Sequence, residues 1–138
     1  MKAKDYLKQL KKQNAIIENY YAELAMWNDV ALSITAHSDG ERVQSSGSKH
    51  KMANAVDSMV DIQTEIKEGL AKAQEIRQEI IHTIEQLNEN EYDVLYKIYV
   101  LGMLFKEVAA SKRKTNNWVT TVHGRALQSV QKILDERM

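Results

Sequence analysis

Residues 52–87 read MANAVDSMVDIQTEIKEGLAKAQEIRQEIIHTIEQL, and their spacing decides the fold class. Met52, Val56, Met59, Gln63, Ile66, Leu70, Ala73, Arg77, Ile80, Ile84 and Leu87 step by four and three. A 3.5-residue period held over about five heptads is the signature of a helical coiled-coil seam. At 1.5 Å per residue, a helix over 48–87 is roughly 58 Å long. Gln63 and Arg77 interrupt the seam, as polar residues do where register or partner choice is set. Gly69 falls off it.

Upstream, Leu7, Leu10, Ile17, Tyr21, Leu24 and Ala31 repeat the pattern over about residues 4–36, with Tyr20, Trp27, Val30 and Ile34 on its flank and Asn14 and Asn28 as polar seam positions. Between the two helices, 37–50 holds four serines, two glycines and only Val43 to bury, which predicts a flexible loop. Helix, loop and helix make a two-helix coiled-coil hairpin, with Ile17 facing Leu70 and Tyr21 facing Ile66, or the seam of a dimer. Leu10, Ile17, Tyr21, Leu24, Val56, Met59, Ile66, Leu70, Ile80 and Ile84 are its expected interface.

The chain has 138 residues, no proline, no cysteine and five glycines. The missing proline suits a mostly helical chain. The missing cysteine excludes a disulfide scaffold, a thiolate metal site and a cysteine nucleophile. No apolar run approaches the roughly 20 residues needed to span a bilayer, and the N-terminus carries no apolar signal core, so the expectation is a cytoplasmic protein without membrane contact. The histidines (His37, His50, His82, His123) have no ligand spacing. No phosphate loop or nucleophile motif is present, so neither cofactor, metal nor enzymatic activity is expected.

The 19 basic and 19 acidic residues cancel, but unevenly along the chain. Over 104–134, Lys106, Lys112, Arg113, Lys114, Arg125 and Lys132 face a single acid, Glu107. A local basic excess is an electrostatic footprint for phosphate.

After Leu87 the pattern shortens. Asn88 and Glu91 fit a capping box, starting a helix from Glu89 to about Leu101 with Tyr92, Leu95, Tyr96 and Tyr99 at core spacing. Gly102 ends it. A helix from about Leu104 to Ser111 places Phe105, Val108 and Ala109 inward, and Lys112-Arg113-Lys114 forms a basic turn. Thr115 caps a last helix, Asn116 to about Glu136, with Val119, Val122, Ala126, Leu127, Val130 and Leu134 as its apolar stripe. The chain thus divides into a long-helix region, 1–87, and a three-helix domain, 88–138. Two helices joined by a tight basic turn make a helix-turn-helix pattern, whose second helix meets base edges in the major groove. Asn116, Asn117, Thr120 and Thr121 stand where base edges would be read, since asparagine pairs with adenine and threonine with a base or a thymine methyl. Lys112, Arg113, Lys114 and Arg125 would meet phosphates, with Thr115 at the helix entry. Trp118 braces this helix against its neighbours or stands beside DNA.

The segments Tyr96-Lys97-Ile98-Tyr99-Val100-Leu101-Gly102, Phe105-Lys106-Glu107-Val108-Ala109 and Trp118-Val119 to Ala126-Leu127 resemble the fourth region of bacterial sigma factors. With the heptad helix upstream, the chain is similar to ArpU and RinA-like transcriptional regulators of phages from Gram-positive hosts. It departs from that pattern at Lys112-Arg113-Lys114, where a glycine turn is usual, and at Gly124 inside the last helix. The resemblance implies an all-α regulator that binds double-stranded DNA, with RNA polymerase as a further partner. Two readings compete with it: a helical interaction or assembly protein that uses the coiled coil alone, and a polymerase-binding factor without promoter readout.

Overall fold

The computed structural model describes residues 1–38 and 46–137. All regular structure in them is helical: α1 (Ala3–Leu7), α2 (Gln9–Ser38), α3 (Ser46–Ile84), α4 (Glu89–Leu95), a π-helical turn (Tyr96–Val100), α5 (Phe105–Lys112) and α6 (Asn116–Glu136). Contacts group the chain into two units, residues 1–13 with 73–138, and residues 14–72.

The long helices run further into the expected loop than predicted, while α3 ends at Ile84, short of the expected Leu87. α2 continues through His37 and Ser38, and α3 starts at Ser46, so both intrude on the expected 37–50 loop, of which 39–45 lie outside the described residues. Extending an existing helix adds a hydrogen bond for each residue fixed, which favours such extension. The first helix is interrupted at Lys8, where ψ is -6°, before α2 begins.

The buried line on α3 is displaced from the expected seam. Met59, Ile66, Ala73 and Ile80 lie on it as expected, buried or half-buried. Ile84 is buried and Arg77 half-buried, also on the expected line, but Gln63 is exposed and Val56 and Leu70 are 43% and 48% exposed, while Ala55, Ile62 and Gly69 are buried. The same heptad period admits a four-three or a three-four alternation about the shared positions. Three-four brings in Ile62 and half-buried Ile76, and turns Gln63 outward, so the seam has fewer polar interruptions than expected. It places small Ala55 and Gly69 where Val56 and Leu70 were expected. On α2 the same correction holds. Leu10 and Ile17 are buried and Leu24 half-buried, but Tyr20 takes the inner position and Tyr21 is 51% exposed. Gln13 is buried, and Asn14 and Asn28 are exposed. Each expected facing pair, Ile17 with Leu70 and Tyr21 with Ile66, therefore loses one member to solvent. Within residues 14–72, Met26, Trp27, Val30 and Ile34 of α2 line a groove of about 930 Å³ with Lys51 and Asn54 of α3.

The other unit is closed by contacts far apart in sequence. The Ala3 amide donates to Gln131 Oε1 at 2.8 Å. Tyr6 Oη and Thr83 Oγ1 are hydrogen-bonded at 2.9 Å, and Arg137 donates to the same threonine oxygen at 2.9 Å. Val94, Val108, Ala109, Val119 and Val122 form a buried cluster, with Ile98, Met103, Phe105 and Trp118 packed against it. Trp118 is thus a brace. The tyrosines expected at core spacing, Tyr92, Tyr96 and Tyr99, are only half-buried, and Val94 and Leu95 take the interior. For Tyr96 and Tyr99 the π turn is the physical reason: its wider turn, with Leu101 N–H donating to Tyr96 O at 3.0 Å, shifts the inward face after Leu95. Gly102 then leaves the helix at φ +71°.

Candidate nucleic-acid interface

The turn between α5 and α6 is built from backbone hydrogen bonds. Lys114 N–H donates to Ala109 O at 2.9 Å, and Arg113 N–H donates to Ala110 O at 3.3 Å. That pair of bonds is the Schellman motif, whose outer residue occupies the left-handed region and is usually glycine. Here it is Arg113, at φ 56° and ψ 43°. A side chain in that region costs about 1–2 kcal/mol. Thr115 then caps α6, its hydroxyl oxygen accepting from Trp118 N–H at 3.1 Å.

The three basic residues of the turn have different environments. Lys112 is half-buried and held by Asp93, which also takes Lys97 at 2.6 Å. Burial of Asp93 works to raise its carboxyl, but hydrogen bonds from Lys112 and Lys97, and their charges, hold it below its ordinary value. Lys112 therefore ties α5 to α4, sharing the one Asp93 carboxylate with Lys97. Arg113 is exposed and makes no salt bridge among the described residues. Lys114 is exposed and lies 5.5 Å from the Trp118 ring centroid, a cation–π arrangement that steadies the ammonium.

Beyond the cap, α6 presents one uninterrupted polar face. Asn116, Asn117, Thr120, Thr121, Gly124, Arg125, Gln128 and Lys132 are all exposed. Helical periodicity aligns Asn117, Thr121, Gly124 and Gln128 along its centre, with Thr120 and Arg125 to either side. Thr120 Oγ1 donates back to Asn116 O at 3.0 Å, and the residue stays exposed. Gln128 escaped the sequence reading, although its i+11 spacing from Asn117 places it on the same line.

Behind this face α6 is anchored along its length. Val119, Val122, Ala126 and Val130 are buried. His123 Nε2 and Tyr99 Oη are hydrogen-bonded at 2.8 Å, and the rings of Phe105 and Tyr99 flank the imidazole with centroids at 4.9 and 5.7 Å. Burial, with some help from the charge of Lys4, lowers the His123 pKa, and burial raises that of Tyr99. Ser129 Oγ donates to Glu91 at 3.1 Å. This engages the carboxylate expected to complete a capping box, while Asn88 Oδ1 still accepts from Glu91 N–H at 2.9 Å.

Among the described residues no helix is long and apolar enough to cross a membrane, and no group of His, Asp and Glu could hold a metal ion. No protein-family model, no curated protein and no solved structure matches the chain.

Proposed function

We propose that this chain is a sequence-specific, duplex-DNA-binding transcriptional regulator of the phage type, with α5, the 113–115 turn and α6 acting as a helix-turn-helix. The observation that carries this reading is the exposed face of α6. It is polar from Asn116 to Gln128 and is entered through Arg113, a cation held in a backbone conformation that glycine would adopt at lower cost. Strain kept in the turn before such a face is what a binding site tolerates and a plain turn does not. Asn117 and Thr121 read base edges, Arg113, Lys114 and Arg125 meet phosphates, and Lys112 positions the turn through Asp93. The long helices brace two copies against each other. This rests on the apolar side chains that residues 14–72 leave outward, Val56, Val60 and Leu70 among them.

Titrating the protein with fluorescent duplexes over a salt series tests the proposal. Neutralising Arg113 and Lys114 together flattens the slope of log affinity against log salt by roughly 0.9 per lost contact, for every sequence. Asn117→Ala relaxes preference at one base pair by about 1–3 kcal/mol and leaves the slope alone. A wild-type protein with no salt-dependent duplex binding at micromolar concentration would sink the DNA reading. The exposed apolar surface of 14–72 then favours the competing reading, a helical assembly protein. Retention of purified host RNA polymerase by a chain that lacks duplex binding would identify the polymerase-binding factor instead.

A further inference from the structure

Gly124 stands in the middle of α6, eight residues after Asn116 and about 12 Å along the axis. Nothing in the fold requires a glycine there. The backbone is ordinary helix, and a Cβ built on it meets no heavy atom within 4 Å. Glycine in an exposed helix interior weakens the helix more than any residue except proline, because it loses the most backbone freedom on folding. The position is also not peripheral. Thr121 precedes it and Gln128 follows it on the central line of the exposed polar face, with Arg125 beside it.

We infer that Gly124 is a specificity-determining residue, the point where the α6 backbone comes closest to the floor of the major groove. The inference rests on the DNA reading above and deepens it. With no side chain at 124, the helix settles deep enough for Asn117 and Thr121 on one side, and Gln128 one turn on, to reach base edges together. A methyl at 124 would lift the helix by about its own thickness, and the hydrogen bonds on both sides would lengthen at once. Phosphate contacts through Arg113 and Lys114 are at the rim and tolerate that displacement, so the loss falls on sequence preference.

The test uses the full chain as wild type, Gly124→Ala and Gly124→Gln. Melting is followed by circular dichroism. Affinity is measured over a salt series for a duplex selected from a random pool and for an unrelated duplex. Gly124→Ala raises Tm by roughly 3–5 °C yet weakens binding to the selected duplex roughly tenfold or more. Gly124→Gln brings the selected duplex down to the affinity of the unrelated one, with its salt dependence retained. Stability up and recognition down in the same protein is the signature of a glycine kept for close approach. If Gly124→Ala binds the selected duplex as tightly as wild type, the inference is overturned while the DNA reading stands. A lower Tm for Gly124→Ala also overturns it, since the glycine then serves the fold. Absence of wild-type duplex binding removes the DNA reading and this inference with it.

Discussion

In residues 14–72, Ile16, Tyr21, Met26, Val30, Leu32, Val56, Val60 and Leu70 are each more than a third exposed. In the other unit, Leu7, Ile80, Ile84, Val94, Leu95, Val108, Val119 and Val130 are fully buried. The second unit also carries the hydrogen bonds that join distant segments, Ala3 to Gln131, Tyr6 and Arg137 to Thr83, and Tyr99 to His123. One unit buries most of its apolar residues, with Met1, Leu101 and Leu104 left exposed, and turns the polar face of α6 outward. The other keeps a narrow seam and leaves apolar side chains on its outer flanks. On α3, Val56, Val60 and Leu70 fall on one side of the helix by its period. Under the function proposed above, the two units would meet different surfaces, a charged polymer at α6 and another apolar helix face at α2 and α3.

The sharpest way to break this contrast is a matched pair of truncations. Leu95→Ala removes a fully buried side chain and costs about 2–5 kcal/mol of folding stability in urea titrations. Leu70→Ala, at a 48% exposed position, stays within about 0.5 kcal/mol when measured at protein concentrations low enough to suppress association. Leu70→Lys lowers the mass seen by sedimentation while helicity persists. Equal costs for the two alanine variants would remove the distinction.

Asp93 gives the next effect. It sits between Lys97 and Lys112 and is partly buried, so Asp93→Asn leaves two neighbouring ammonium groups without their counter-charge. The expected loss is roughly 1–2 kcal/mol, between the worth of an exposed pair and a buried one. The pH dependence has a fixed sign. The folded carboxyl titrates below its ordinary value, so its contribution is present above about pH 4 and fades as pH falls through the folded value. Asp93→Asn loses that part of the acid limb. A variant as stable as wild type at pH 7 would show that Lys112 is not tied down, and would return it to the phosphate-binding set.

Several of these features were legible in the sequence and others were not, for physical reasons. The span of α6 follows from a local rule, the threonine cap at 115 with a 3.6-residue stripe behind it, and the structure has those bounds. The existence and period of the α3 heptads were equally plain. Their alternation was not, because Ile66 and Ala73 belong to both choices and only the comparison of Ile62 and Ile76 with Gln63 and Arg77 decides. The π turn breaks the fixed helical period, and it moved Tyr96 and Tyr99 off the core. Lys112 with Asp93 is a pairing across 19 residues, and Ala3 with Gln131 one across 128, which no local pattern encodes. At the candidate site the residue types were readable, whereas the division of labour among Lys112, Arg113 and Lys114 depended on where the fold carried Asp93 and Trp118.

His123 sharpens the contrast from inside the unit that carries α6. Its imidazole is buried beside Tyr99 and Phe105 and titrates below the ordinary value near 6.5. The unfolded chain therefore binds a proton at a pH where the folded chain does not. The contribution is fully present above about pH 6.5 and is lost as pH falls toward the folded value. Melting temperature should drop between pH 7.5 and 5.5 in wild type, and His123→Gln should flatten that drop. An unchanged slope in the variant would place the titration elsewhere.

The smallest expected effect on stability separates the fold's interest from the site's. Arg113 occupies a left-handed position that disfavours any side chain, and Arg113→Gly relieves that cost. Part of the gain returns as the greater freedom of glycine in the unfolded chain, leaving a net stabilisation of about 0.5–1 kcal/mol. Arg113→Ala keeps the conformational cost and leaves stability nearly unchanged. Both substitutions remove the same cation, so both should flatten the salt dependence of duplex binding by roughly 0.9. The two variants thus differ in melting temperature and agree in binding. If Arg113→Gly binds every duplex as wild type does, the charge at 113 is not at the interface, and its unusual backbone must be explained by the turn alone. If it binds less well while melting higher, the turn has kept a conformation the fold disfavours in order to hold a cation beside the first turn of α6.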